Sequence, residues 1–376
     1  MPEPAGGPTG FDELAGWVRL TSIPGVGRES QRQLLAAFGP PPAIFAATPA
    51  ALHSVVGEAL TLSLQTSDAQ AEIDTARAWA AEPGNHIVTL ADADYPQALL
   101  TAPDPPVLLY VKGRTELLNR PSIAIVGSRN ATRQGAANAE AFATALAAAG
   151  LTVVSGLALG IDAAAHRGAL SCRSDNAGST VAFIGTGADR IYPAGNEELA
   201  REIASRGCVV SEFPLGMAPL PNNFPRRNRL IAGIALGCLV VEAAARSGSL
   251  ITARLAVEAG REVFAIPGSI HSPLSKGCHA LIRQGAKLVE KAEDILEELR
   301  WEAEPAARSA KAAALADSAE EKGLLEYLDD APISLDTLAS RCGLTPEQLL
   351  AMLLPLELEG RVAQLPGGLY QRLQQP

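Results

Sequence analysis

From Ser122 onward the sequence alternates between short apolar runs rich in Val and Ile and segments of about a dozen residues with helical periodicity. "SIAIV" precedes "RQGAANAEAFATALAAAG", "LTVVS" precedes "IDAAAHRGAL", and "TVAFI" precedes "NEELAREIASRG". The pattern continues through "CVVSE", "RRNRLIAGIALG", "CLVVE", "LITARLAVEAG", "EVFAIPG" and "HALIRQGAKLV". Apolar runs this short, without polar alternation, have two faces to bury, and a parallel sheet covered by helices on both sides provides that. The spacing therefore predicts an α/β fold with a Rossmann-like parallel sheet as the core of residues 83–299.

At 376 residues the chain has room for flanking domains. Residues 1–82 read as a helical, SAM-like domain in which "IPGVG" separates two apolar-periodic segments, the pattern of a helix-hairpin-helix. Gly25 and Gly27 either offer amides to a phosphate at a helix N-terminus or simply close a tight turn. Four arginines against seven acidic residues from Phe11 to Ala80 favour the turn. Residues 300–318, rich in Ala and charge, read as a linker, and residues 319–376 as a winged helix. In that domain "TPEQ" supplies an N-cap (Thr345), a proline at the first helical position (Pro346) and a capping-box Gln348. "RVAQLPGGLYQR" reads as a β-hairpin. The helix "TPEQLLAMLLPLELEG" carries three glutamates and no cation, which fits a protein-interaction or regulatory module better than a reader of duplex DNA.

Hydrophobic residues make up 47% of the chain but aromatics only 4%, so Ala, Leu, Val and Ile must build the cores. No apolar run reaches the roughly 20 residues of a membrane span. The N-terminal "MPEPAGGPTG" lacks the regions of a signal peptide. Five cysteines without C-x-x-C spacing argue against a disulfide framework and a zinc site. The expectation is a soluble, cytoplasmic protein with no metal, no cofactor and no membrane partner.

In an open parallel sheet, ligands bind beyond the carboxyl ends of the strands. Five such ends here carry Gly and Ser: Gly127-Ser128-Arg129, "GLALG", Gly185-Thr186-Gly187, Arg246-Ser247-Gly248-Ser249, and Pro267-Gly268-Ser269. Together they predict a phosphate-lined groove. There is no G-x-x-x-x-G-K-[ST], and "GSRNATRQG" is not G-x-G-x-x-G, so neither a P-loop nor an ordinary dinucleotide site is expected. The net charge is −10, yet "FPRRNR" gathers Phe224, Arg226, Arg227, Asn228 and Arg229 in a stretch without an acidic residue from Phe213 to Val241. Arginine forks hold phosphate, and Phe224 can stack on an unpaired base. Alternatively, the arginines pair with Glu212 or Glu242 inside the fold, and Phe224 is core. Lys276 in "SPLSKGCH" is a further candidate phosphate contact or an ordinary exposed lysine. Asp162 and His166 share one helix face, and a hydrogen bond between them that orients a loop is the favoured reading over metal or acid–base chemistry.

In this order, "AIVGSR", "SGLALGIDAAAHRGAL", "IYP", "SEFP", "FPRRNRLIAG", "VVEAAARSGSLITARLA" and "VFAIPGSI" resemble the DNA-processing protein A family (DprA, also called Smf). The likeness is dense over about residues 85–290 and loose in the flanks; Leu159 stands where the family usually has a basic or polar residue. The resemblance implies a bacterial protein of natural transformation that binds and protects incoming single-stranded DNA and helps load the RecA recombinase. It also implies a homodimer formed through the Rossmann-like domain. By that resemblance Arg129 and the arginines of "FPRRNR" line the strand-binding pocket together with the Ser247-Gly248-Ser249 turn.

Two other functions fit parts of the pattern. A nucleotide-hydrolysing enzyme of the phosphoribohydrolase type would use Glu242 as base, but needs a "PGGxGT-x-x-E" turn where this chain has "AAARSGSLITAR". A duplex-binding regulator would rely on the winged helix, against which the acidic helix speaks.

Overall fold

The computed structural model describes residues 11–102, 104–173 and 178–301, and in the C-terminal part residues 328, 333–342, 349, 353, 362–365 and 369–372. Residues 1–302 form one compact unit and residues 303–376 another.

The first unit opens with five helices: α1 (Phe11–Ser22), α2 (Arg28–Phe38), α3 (Pro41–Ala46), α4 (Pro49–Thr66) and α5 (Gln70–Ala80). The turn between α1 and α2 closes through Gly25 at φ +83°, with Val26 N donating to Ile23 O and Gly27 N to Gly25 O. This hairpin lies against the sheet domain. Trp17, Ile73 and Trp79 pack with Ile87, Leu108 and Tyr110, the Trp79 and Tyr110 rings meeting edge to face at 5.6 Å. Beside them, Arg28 and Arg32 both pair with Asp104.

The sheet has nine strands: β1 (Asn85–Thr89), β2 (Leu108–Gly113), β3 (Ser122–Val126), β4 (Thr152–Ser155), β5 (Thr180–Phe183), β6 (Cys208–Ser211), β7 (Gly237–Val240), β8 (Glu262–Ala265) and β9 (Lys287–Leu288). Their order is β1-β2-β6-β5-β4-β3-β7-β8-β9. From β6 to β9 all pairs are parallel; β1 and β2 add an antiparallel extension at one edge. The Rossmann-like α/β fold expected from the alternation is thus present, widened by two strands that precede Ser122 and lie outside that alternation.

Between the strands run α6 (Gln97–Leu100), α7 (Arg133–Ala148), α8 (Ile161–Ser171), α9 (Glu197–Arg206), α10 (Asn223–Ile234), α11 (Ser249–Glu258), α12 (Lys276–Arg283) and α13 (Ala292–Glu298). The strand period of two splits β3 between faces. Ile123 and Ile125 meet α7, α8 and α13, while Ala124 and Val126 meet the side of α10 and α11. The scarcity of aromatics has a packing consequence: α7 and α8 approach through Ala139, Ala143, Ala164 and Ala165. At Gly168 an added Cβ would lie 2.2 Å from Glu140 O, so bulkier helices would not fit.

His166 on α8 is fully buried and does not bond Asp162, contrary to the sequence expectation. The Thr180 hydroxyl donates to Val153 O, so His166 Nδ1–H donates to Thr180 Oγ1 at 2.7 Å and Nε2 is left without a partner. Burial, with Arg227 and Arg167 adding to it, pushes the imidazole pKa down to about 3. The unfolded chain takes up this proton below about pH 6.5 and the folded chain does not. The stability His166 supplies is therefore complete above pH 6.5 and falls as the pH drops toward 3, by roughly 2 kcal/mol between pH 7 and pH 5. Urea midpoints of wild type and His166→Asn across that range check it; equal slopes in both would refute the assignment.

The second unit contains a three-stranded antiparallel sheet in the order β10 (Ile333–Ser334), β12 (Leu369–Arg372), β11 (Val362–Leu365), with a helix over Leu335–Cys342. The β11–β12 pair is the hairpin expected from "RVAQLPGGLYQR". Leu328, Leu338, Leu349, Leu353, Val362 and Tyr370 form its core. The linker at 302–318, the first helix of the winged helix apart from Leu328, and the caps at Thr345, Pro346 and Gln348 lie outside the described residues.

Candidate nucleic-acid interface

In the strand order the chain reverses direction between β3 and β7, which makes their carboxyl ends the topological switch point. A cleft of about 800 Å³ opens there. Ser128, Arg129, Phe224, Arg227, Asn228, Ser247, Gly248 and Ser249, separated by more than a hundred residues of chain, meet along it. They come from the turn after β3, the first two turns of α10 and the turn leading into α11.

One wall is cationic. Arg129 is exposed, and Arg246 joins it beside the N-terminus of α11, where Ser249 N donates to Ser247 Oγ (3.3 Å) and the two hydroxyls lie 2.7 Å apart. Gly248 has open space around its α-carbon, so an anion can approach the backbone there. Facing this wall, Phe224 lies with its ring 5.6 Å from the Arg129 guanidinium and 5.7 Å from the Tyr192 ring.

Among the described residues Asp162 is the one acidic side chain lining the cleft, and it is directed to the backbone. Its Oδ2 accepts from Gly156 N (3.1 Å) and Ala158 N (3.3 Å). Burial raises its pKa, against the lowering pull of Arg227 and these amides. Arg227 is itself buried, donating through Nη1 to Gly156 O and Phe183 O. Burial lowers its pKa to about 10, with Asp162 opposing the shift and Arg129 adding to it. Arg227 thus forms the floor of the cleft as part of the fold.

Three other predicted site residues stand elsewhere. Arg229 pairs with Glu212 and Asp104 and donates to Asp104 O, joining the cluster that holds α2 to the sheet domain. This is the internal pairing considered for it from sequence, and Glu212 is the partner. Arg226 lies over the Phe213 ring at 5.0 Å and faces a separate cavity of about 260 Å³ beneath the α1–α2 hairpin. Lys276 donates to Ile270 O and lines a third, largely apolar cavity with Pro267 and Leu288.

The glycines at the strand ends also differ from expectation. An added Cβ at Gly156 would lie 2.1 Å from Arg227 Nη1, so this glycine makes room for the arginine and not for a ligand. Within α7, Gly135 gives way to Glu242 in the same manner. Among the described residues Glu242 anchors no arginine: it accepts from Thr132 N (3.0 Å) and the Thr132 hydroxyl (2.6 Å), while Gly135 N donates to Thr132 Oγ1 (2.9 Å) at the start of α7. Sequence reasoning left Asn130, Tyr192 and Arg246 out of the site. Arg246 adjoins Ser247 in a turn already singled out, but Tyr192 lies in an irregular segment after β5 whose return path to the cleft no periodicity encodes.

Among the described residues no group of three His, Cys, Asp or Glu side chains is placed to hold a metal ion, and no helix is long and apolar enough to cross a membrane.

Comparison with known proteins agrees with the motifs. Residues 86–300 match the family described as DNA recombination-mediator protein A, and residues 305–368 match the DprA winged helix domain. Protein Smf of Escherichia coli (strain K12) is 42% identical over 307 residues, covering 80% of this chain and 81% of the relative. The X-ray structure of DNA processing protein A from Streptococcus pneumoniae is 37% identical with a TM-score of 0.66, covering 77% of this chain and 98% of that one. DNA processing protein A from Helicobacter pylori, described for its single-stranded DNA binding mode, is 31% identical with a TM-score of 0.51, covering 57% and 95%. With its α/β domain and its winged helix both matched, the chain belongs to the DNA recombination-mediator protein A (DprA/Smf) family.

Proposed function

We propose that the protein binds single-stranded DNA in the switch-point cleft and acts as a recombination mediator without catalysing a reaction. The observation that carries this is the pairing of a cationic wall (Arg129, Arg246 and the start of α11) with an aromatic one at Phe224 and Tyr192, over a floor where Arg227 donates to the carbonyls of Gly156 and Phe183 and Asp162 accepts from backbone amides. Phosphates suit the first wall and bases the second, and a duplex keeps its bases stacked inside. Glu242, the base an enzyme of the phosphoribohydrolase type would need, is held by Thr132, which supports the non-catalytic reading.

Protection of incoming strands in natural transformation, loading of RecA and a cytoplasmic location follow from family membership as further parts of the proposal. So does a homodimer. The sheet edge at β9, where Leu288 is exposed and shares a cavity lining with exposed Ile270, is the surface we assign to it. The winged helix would serve protein contacts.

Fluorescence anisotropy of a labelled oligothymidine against a duplex of equal length tests the DNA site. Wild type should prefer the single strand and lose affinity with salt, at a log–log slope of about −0.7 per contacted phosphate. Equal affinity for both nucleic acids, or none for either, would remove the basis of the proposal.

A further inference from the structure

Phe224, the aromatic that sequence singles out for stacking, is already engaged on several sides. The Arg129 guanidinium lies over its ring, Tyr192 packs against it at an interplanar angle of 42°, and a Cβ at Gly185 would touch its edge at 3.0 Å. A base sandwiched between two rings needs them roughly 7 Å apart, two van der Waals gaps. At 5.7 Å the Tyr192–Phe224 pair is too close to admit one. Tyr192, in contrast, is 46% exposed although it packs on Phe224 and lines the cleft.

Tyr192 is not alone. Ile191 is 42%, Leu159 47% and Leu220 49% exposed. Each is a chain neighbour of a residue that lines the cleft: Tyr192, Ala158, and Pro219 with Pro221. Four large apolar side chains left in water at or next to cleft-lining residues, with exposed Arg129 and Arg246 in the same cleft, divide its surroundings between apolar and cationic surface. A single nucleic-acid strand has that division, with charged phosphates along one side and apolar base faces along the other.

Resting on the single-strand reading above, we infer that Tyr192 is the outer base-stacking residue of the cleft, with the Leu159/Leu220 rim extending its platform, while Arg129 and Arg246 hold the phosphates. Phe224 then acts as the support that orients both Arg129 and Tyr192. The strand lies with its bases toward the segment that follows β5 and its backbone toward α11.

The test compares an oligothymidine with an abasic oligomer of equal length, which keeps the phosphates and removes the bases. Tyr192→Ala should weaken oligothymidine binding roughly tenfold and leave abasic binding unchanged, and Tyr192→Phe should restore the wild-type value. Equal loss on both oligomers would mean a merely structural tyrosine. No loss on either would mean that the rim serves a protein partner or nothing. Each of these overturns the inference while the DNA site stands. Absence of single-strand binding by the wild type would overturn both.

Discussion

Arg227→Ala is expected to lower the unfolding free energy by about 3–5 kcal/mol, the penalty for leaving a buried charge without its counterpart. The guanidinium bridges Gly156 O after β4 and Phe183 O at the end of β5, so truncation orphans two buried carbonyls and removes a positive charge that acts on buried Asp162. Urea denaturation measures the loss, and loss of DNA binding would follow it as a consequence of unfolding. Arg227→Lys should recover only part, because an ammonium lacks the planar fork that reaches both carbonyls. Asp162→Asn placed in the Arg227→Ala background should regain stability, since it removes the charge that the first substitution uncovered. A fully stable Arg227→Ala protein with weakened DNA binding would show instead that this arginine contacts phosphate directly.

The same residue shows how much of the molecule was legible. Positions 227, 230, 231 and 234 of α10 are all buried, the i, i+3, i+4, i+7 stripe of a core-facing helix. Read with that period, "FPRRNRLIAGI" already places Arg227 inward and Arg226 off the stripe. Reading the three arginines as one cation cluster overlooked this. The strands were plain because a parallel sheet buried on both faces leaves continuous apolar runs, and β3 to β8 follow them. What sequence could not supply is the partner of each charge. Glu212 meets Arg229, whereas Glu242, also just past a strand, meets Thr132. That difference depends on which helix start lies over which strand end, and no local pattern carries it. For the same reason five glycine-bearing strand ends looked equivalent. Those after β3, β4 and β7 border the cleft, the one after β8 lines another cavity, and Gly185 after β5 supports Phe224.

The double variant Arg129→Ala/Arg246→Ala is expected to weaken single-strand binding by a factor of about 150–1000 at low salt while leaving stability unchanged. Both side chains are exposed at the cleft, and among the described residues no salt bridge ties either to the fold. A hydrogen bond to a charged group contributes about 1.5–3 kcal/mol, and solvent at an open cleft takes the lower part of that range for each arginine. Affinity alone would not separate a lost phosphate contact from a disturbed cleft, but its salt dependence does. Removing two phosphate contacts makes the log–log slope shallower by about 1.4, whereas a misshapen cleft that still meets the same phosphates keeps the slope. Arg226→Ala is the matched control: it removes an exposed arginine from the same "FPRRNR" run, but one that faces the cavity beside Phe213. It should change affinity by less than about threefold. If Arg226→Ala matched the double variant in both affinity and slope, the strand would run beneath the helical hairpin and not through the switch point. If neither variant altered binding, the cationic wall would have no part in holding DNA.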